Sequence, residues 1–228
     1  MDSDLAALLK NKVVNGWSLF SLITVPIGLV VLMAMTRVDL SRGEDISSLI
    51  QLSVRCSVPW LYLAFAASSL QSLFPGACSR WLMRNRRIIG LCFASGMAWQ
   101  LTFILWMVIG FSSYYADEVY LLSDVVIQIP GYVFLIAMTL TSFMPVRRKL
   151  SSKQWRTLHK TSIYFLWGTV WSTYWYELYY YGDVQLIDYI YYWTGFIAWG
   201  LRVLAWSKKR LRLETARREG FDGTRRMT

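Results

Sequence analysis

Histidine and cysteine are scarce in this chain of 228 residues, which contains one histidine and three cysteines. Cys56, Cys78 and Cys92 are unevenly spaced and form no CxxC pair, so they predict no metal site of the common cysteine type. Walker loops, GxGxxG, GxSxG and HExxH motifs are also absent, which excludes the soluble enzyme classes that those motifs define. No polar segment is long enough to hold a flavin or nicotinamide domain, so we expect no self-contained catalytic site.

Hydrophobic residues, in contrast, make up 55% of the chain and aromatic residues 16%. They concentrate in six blocks of about 20 residues, the length that crosses a bilayer, which predicts an all-α integral membrane protein built as a six-helix bundle. The predicted spans are 17–35, 56–74, 88–111, 121–144, 161–180 and 186–206. We expect a lead-in at 1–15, the bundle at 16–206 and a basic tail at 207–228. The first block lacks a small-residue cleavage site, so we expect it to be retained rather than removed as a signal peptide.

The net charge of +10 follows the pattern of membrane-protein loops. Basic residues cluster between spans two and three, between spans four and five, and after span six, whereas the three–four and five–six connections contain no Lys or Arg. The positive-inside rule therefore predicts that both termini and the two basic loops are cytoplasmic, in a multi-pass protein of a cell membrane. The same distribution argues against nucleic acid as a partner, and the basic tail is expected to rest on the lipid bilayer or on a protein.

Polar side chains within or beside the spans are candidate functional residues, because they are costly in lipid. Gln100, in the third span, is either such a residue or the donor or acceptor of an interhelical hydrogen bond. Asp188 is expected at the membrane interface, and Arg202 is expected to extend towards the headgroups. The dense aromatic residues of 164–193 predict an interfacial belt around the outer ends of helices five and six, with packing against a flat macrocycle as the alternative.

Three stretches together resemble a known family: RRIIGLCFASGMAWQ at 86–100, TSFMPVRRKL at 141–150 and QWRTLHKTSIYFLWGTVWS at 154–172. They resemble the ferric reductase-like transmembrane domain, and most closely the haem-binding membrane subunit of the bacterial methionine sulfoxide reductase system. The resemblance implies a six-helix protein of the bacterial inner membrane that transfers electrons through b-type haem. It also implies redox partner proteins in the cytoplasm or the periplasm.

The resemblance places a family histidine, an axial haem ligand, on His159, and an arginine that could pair with a haem propionate on Arg55. The other family histidines fall on Gln51, Gln100 and Ser172, so the implied haem ligation is degenerate, because neither glutamine nor serine is a usual haem ligand. Helices three and five would run parallel, and His159 would lie about 20 Å nearer the cytoplasm than Ser172. We therefore expect either an electron-transfer subunit of an oxidoreductase system or a non-redox scaffold or interaction subunit that has lost haem.

Overall fold

The computed structural model describes residues 7–119, 122–180 and 184–225, with the side chains of 118–125 and 216–225 outside the description. Within these residues the chain is helical and contains no β-strand, which confirms the all-α prediction. Six long helices are α1 (Gly16–Met35), α2 (Gly43–Leu73), α3 (Ala77–Gly110), α4 (Leu122–Thr141), α5 (Ser152–Tyr179) and α6 (Leu186–Arg225). Shorter helical turns span Lys12–Val14, Ser112–Tyr114, Tyr115–Val119 and Met144–Arg147.

Three of the helices are long and apolar enough to cross a membrane. The most apolar windows of α1, α2 and α3 have mean hydropathies of 2.3, 1.3 and 1.8. The apolar part of α4, Val126–Thr141, is shorter than a full span, and α5 and α6 are not among the apolar candidates within the described residues. Both α5 and α6 are rich in Trp and Tyr, which lie at membrane interfaces more often than in the hydrocarbon core.

Several helices continue beyond the predicted spans. The third begins at Ala77 rather than 88, the fifth at Ser152 rather than 161, and the sixth continues past 206. A capping box starts α5: Ser151 Oγ accepts from the backbone N–H of Gln154 at 3.2 Å, and Gln154 Oε1 accepts from the Ser151 N–H at 2.9 Å. Hydropathy detects only the apolar part of such a helix, because its polar turns remain helical outside the apolar block.

Helix α2 is central and packs against α1, α3, α5 and α6. Small residues permit its closest approaches, as is common between membrane helices. A Cβ atom at Gly96 of α3 would overlap the side chain of Ser57, and a Cβ atom at Gly195 of α6 would lie 2.6 Å from Tyr62 Oη. Any larger residue at these two glycines would push α3 or α6 away from α2.

Helices α2 and α6 lie side by side in parallel. At one end Arg55 pairs with Asp188 at 3.1 Å, and at the other Arg202 Nε donates to the Phe65 carbonyl oxygen at 3.0 Å. Pro59 has no N–H for the carbonyl of Arg55, and the hydroxyl of Tyr191 donates to that carbonyl instead at 2.8 Å. We name the end that contains Arg202 the basic end and the end that contains Asp188 the opposite end.

Two residues of this packing carry expectations from the sequence. Asp188, in the first turn of α6, is 1% exposed and bound to Arg55 of another helix, and its position at the membrane interface stays a prediction. Arg202 is half-buried against α2 rather than extended towards headgroups. Neither pairing is visible in the sequence, since each joins residues more than 130 positions apart.

The aromatic residues of α5 and α6 divide into an inner and an outer group. Trp167 stacks on Phe65 with ring centroids 5.4 Å apart, and its indole N–H donates to the Gly195 carbonyl oxygen at 2.9 Å. Trp171 donates to the Tyr192 carbonyl oxygen at 3.2 Å. The outer group consists of exposed side chains, among them Tyr176, Tyr179, Tyr180 and Trp193. Only the outer group has the exposure that the predicted belt requires, and the inner group joins helices.

Candidate functional site

A cavity of about 890 Å³, here named the basic cavity, opens at the basic end among α2, α3, α4, α5 and α6. Nine of its lining residues are basic, and none of the described lining residues is an aspartate or glutamate. The basic residues are Arg86, Arg87, Arg147, Arg156, Lys160, Arg202, Lys208, Lys209 and Arg212. Apolar side chains, including Leu61, Phe93, Ile163 and Leu166, line the deeper wall. The cavity therefore combines an apolar interior with a strongly cationic surface.

Two arginines from different helices are fixed on adjacent carbonyl groups of α2. Arg86 Nε donates to the Ala64 carbonyl oxygen at 2.9 Å, and Arg202 Nε donates to the Phe65 carbonyl oxygen at 3.0 Å. The Arg202 guanidinium also lies over the rings of Phe65 and Tyr164, at 4.1 and 4.5 Å from their centroids. The terminal nitrogens of both guanidiniums have no hydrogen-bond partner among the described residues, and the two charges repel each other.

Trp155 forms part of the same wall. Arg147 lies over its ring at 4.8 Å from the centroid, and the ring of His159 packs against it at 4.4 Å. Its indole N–H is buried and has no hydrogen-bond partner within the described part of the chain. An unpartnered buried donor of this kind costs about 1–3 kcal/mol.

His159 lines the basic cavity with its Nε2 atom 3.0 Å from Thr141 Oγ1. The Thr141 hydroxyl also lies 2.6 Å from the Ala137 carbonyl oxygen, and the direction of the bond between Thr141 and His159 depends on the imidazole tautomer. His159 precedes the predicted fifth span. Burial, and then the charges of Arg86 and Arg147, lower its pKa from 6.5 to about 4. The imidazole is therefore neutral at physiological pH.

The other predicted ligand positions are occupied by hydrogen bonds within the protein. Gln100 Oε1 accepts a hydrogen bond of 2.8 Å from the Tyr132 hydroxyl, which confirms the interhelical interpretation of this residue. Ser172 Oγ donates to the Thr169 carbonyl oxygen at 2.9 Å within α5. Gln51 is exposed on α2. None of these three side chains lines the basic cavity.

Arg55 and His159, the two candidate haem contacts, are not brought together. Arg55 is held at the opposite end by Asp188 and by Gln185 Oε1, at 3.1 and 2.8 Å. Asp188 and Arg202 are fourteen residues apart in α6, which corresponds to about 21 Å along the helix axis. The role of Arg55 as a propionate partner stays a prediction from the resemblance, and its place in the fold is a buried ion pair.

The residues present do not fit a bis-histidine haem. His159 is the only histidine of the chain, and its Nε2 atom is hydrogen-bonded to Thr141. The residues at the second and third ligand positions, Gln100 and Ser172, are not haem ligands and are engaged elsewhere. Among the described residues, no group of three or more His, Cys, Asp or Glu side chains could hold a metal ion.

The basic cavity itself was not predicted from the sequence. Its cationic residues lie in different connections between the spans, and within each connection they indicate only the cytoplasmic side. The available signal was the position of two arginines: Arg86 lies just before the third apolar block, and Arg202 lies within the sixth. A charged side chain in or beside a span usually faces a protein interior or a polar cavity.

Comparison with known proteins gives no relative. No protein-family model matches the chain, and neither a curated protein nor a solved structure is significantly similar to it. The candidate site is therefore defined by its own geometry.

Proposed function

We propose that this chain is a six-span membrane protein with both termini in the cytoplasm, and that it serves as a non-redox binding or scaffold subunit. We further propose that it descends from the ferric reductase-like transmembrane family and has lost haem. The observation that carries the proposal is the hydrogen bond from Tyr132 to Gln100, because it joins two helices at a position where the family has an axial histidine.

Exposed apolar surface on α1, α4 and α6 supports the proposal of six spans. Leu22, Leu29 and Met33 of α1 are about half exposed, as are Ile129 and Val133 of α4. On α6, Ile197 and Leu204 are 58% and 59% exposed. Apolar side chains that point outward along helices of this length are stable against lipid and are costly in water. The basic residues at one end then assign that end to the cytoplasm.

A second candidate function is transmembrane electron transfer, as the resemblance implies. The observation that favours it is the position of His159 in the wall of a cavity of about 890 Å³, which is large enough for a macrocyclic cofactor. The unfavourable observation is that His159 is the only histidine in the described lining of this cavity, where Met138 and Tyr164 are the other residues of types that ligate haem iron. The non-redox function therefore accounts for more of the geometry.

Two measurements test the proposal. Iron and haem content of the detergent-purified protein, produced with ample haem supply, should be far below one equivalent per chain, whereas one equivalent would overturn the haem-free function. Reporter fusions after residues 15, 42, 76, 116, 150, 184 and 208 should alternate in location along the chain, starting in the cytoplasm. A reporter after 184 on the same side as that after 150 would overturn the six-span topology.

A further inference from the structure

We infer that the basic cavity binds the phosphate headgroup of an anionic glycerophospholipid from the cytoplasmic leaflet. This inference rests on the haem-free membrane protein proposed above. It assigns that protein a ligand of defined chemistry: a phosphate group attached to acyl chains.

The phosphate part of the ligand follows from the unpaired donors. Arg86 and Arg202 each use Nε to bind a carbonyl oxygen of α2, which leaves their terminal N–H groups for an anion. Arginine forks match the geometry of phosphate oxygens and form charge-assisted hydrogen bonds with them. No described carboxylate in the wall competes for these donors. An anion between the two guanidiniums would also offset their mutual repulsion.

The lipid part of the ligand follows from what adjoins the cavity. A groove of about 360 Å³ between α1, α3 and α4 shares Leu91, Leu135 and Thr139 with the basic cavity. The other residues of this groove are almost all apolar, and they include Trp17, Phe20, Met97, Ala98, Leu101, Ile136, Leu140 and Phe143. The groove therefore adjoins the basic cavity at these three residues, and we assign to it an acyl chain of a lipid whose phosphate is held at the arginines.

A second apolar feature, an open depression, adjoins the cavity. It has a volume of about 680 Å³ and is lined by residues including Leu73, Phe74, Leu204 and Leu211. Lys208 and Arg212 belong both to this depression and to the basic cavity. The depression lies at and beyond the cytoplasmic end of the proposed sixth span, so we assign the acyl chain to the groove between α1, α3 and α4. Basic pockets between helices at the cytoplasmic side are a common form of anionic-lipid site. A free phosphate or a soluble nucleotide would leave that groove unfilled.

Binding to the full-length protein can be measured in neutral detergent micelles after delipidation. The probes are phosphatidic acid, phosphatidylcholine and inorganic phosphate, with bound molecules counted by native mass spectrometry and affinity taken from the shift in thermal unfolding. We expect phosphatidic acid to bind at one equivalent and to raise the unfolding temperature, whereas phosphatidylcholine and inorganic phosphate should have little effect. An equal effect of inorganic phosphate would overturn the lipid assignment.

Two matched double variants separate the cavity from general positive charge. Arg147→Gln with Arg156→Gln removes two cavity charges, and Arg148→Gln with Lys153→Gln removes two charges from the same connection outside the cavity. All four side chains are exposed, and the one described aromatic contact that is lost is that of Arg147 with the Trp155 ring. We expect the first variant to bind phosphatidic acid about tenfold or more weakly, the order for losing charge-assisted contacts, and the second to change affinity by less than about twofold. Equal losses would overturn the site.

A third variant tests the groove without changing charge. Ala98→Trp places a large ring in the apolar groove, where Ala98 is exposed. It should weaken phosphatidic acid and leave the binding of a short-chain, water-soluble analogue nearly unchanged. Unchanged binding of both would show that no acyl chain occupies the groove. A haem band in the same preparation would defeat the proposed function, whereas a colourless protein that binds no phosphatidic acid would defeat only this inference.

Discussion

The Tyr132 hydroxyl donates a hydrogen bond of 2.8 Å to Gln100 Oε1 and thereby links α4 to α3. Both side chains are partly buried between these helices. The same glutamine stands where the resemblance to ferric reductase-like proteins implies a haem ligand. A polar group that is costly to leave unpaired in an apolar environment is therefore satisfied by a neighbouring helix.

The Gln100–Tyr132 bond should contribute measurably to stability. Gln100→Leu and Tyr132→Phe should each lower the free energy of unfolding, and a double-mutant cycle should give a coupling of about 1 kcal/mol, in the range for interhelical bonds in membranes. Reversible unfolding in mixed micelles measures the coupling. Thr102→Val is the control, because the Thr102 hydroxyl bonds only to the Ala98 carbonyl of its own helix. A coupling near zero would contradict the contact.

The buried ion pair at the opposite end predicts a larger effect. Asp188 is 1% exposed and binds Arg55, so Asp188→Asn leaves a half-buried guanidinium without its counter-charge. We expect a loss of about 3 kcal/mol in unfolding free energy. Glu44→Gln breaks an exposed pair with Arg42 and should cost less than about 1 kcal/mol. Similar losses in the two variants would mean that Asp188 is not buried as described.

Two glycines of α6 provide a matched pair for close packing. A Cβ atom at Gly195 would lie 2.6 Å from Tyr62 Oη and 2.8 Å from Trp171 Cδ1, whereas one at Gly200 meets nothing within 4 Å. Gly195→Ala should therefore destabilise the protein by about 1–3 kcal/mol, because the helices must separate. Gly200→Ala should be neutral or should stabilise by up to about 1 kcal/mol, since alanine is the better helix former. The same unfolding assay decides between these outcomes, and a tolerated Gly195→Ala would contradict the α2–α6 packing.

The environment of His159 predicts a defined pH dependence in protein without added lipid. Because its pKa is about 4 in the folded protein and 6.5 ordinarily, the unfolded state binds more protons between these values. The contribution of this residue to stability is thus fully present above pH 6.5 and is lost as the pH falls through 4. His159→Gln should remove that component, so the difference between wild type and variant should change between pH 7 and 4. A stability difference between wild type and variant that stays constant over this pH range would contradict a half-buried, neutral imidazole.

The helices were predictable because apolar blocks of about 20 residues are typical of helices long enough to cross a membrane. The fourth span, predicted at 121–144, corresponds to α4 at Leu122–Thr141. The polar extensions were missed because hydropathy does not register turns such as those that follow Ser151. They continue as helix because the capping and propensity of these turns, rather than their burial, determine the backbone.

The site was less predictable because it depends on which helices meet. Arg86 and Arg202 are 116 positions apart, yet they bind the adjacent carbonyls of Ala64 and Phe65. A single sequence gives the charge of each arginine and its position relative to the apolar blocks. It does not show which side of each helix packs against its neighbours, and that packing creates the cavity. The resemblance predicts a functional role for His159, which does line the cavity. The arginines around it contribute more of the lining than this one imidazole does.

Whether the six-helix scaffold functions without haem can be decided from one spectrum. A reduced-minus-oxidised visible difference spectrum should be recorded on full-length protein purified from cells supplied with ample haem precursor. We expect a flat spectrum that is identical for the wild type and for His159→Ala. A reducible Soret and alpha band in the wild type that disappears in His159→Ala would contradict the haem-free function and would establish His159 as a haem ligand.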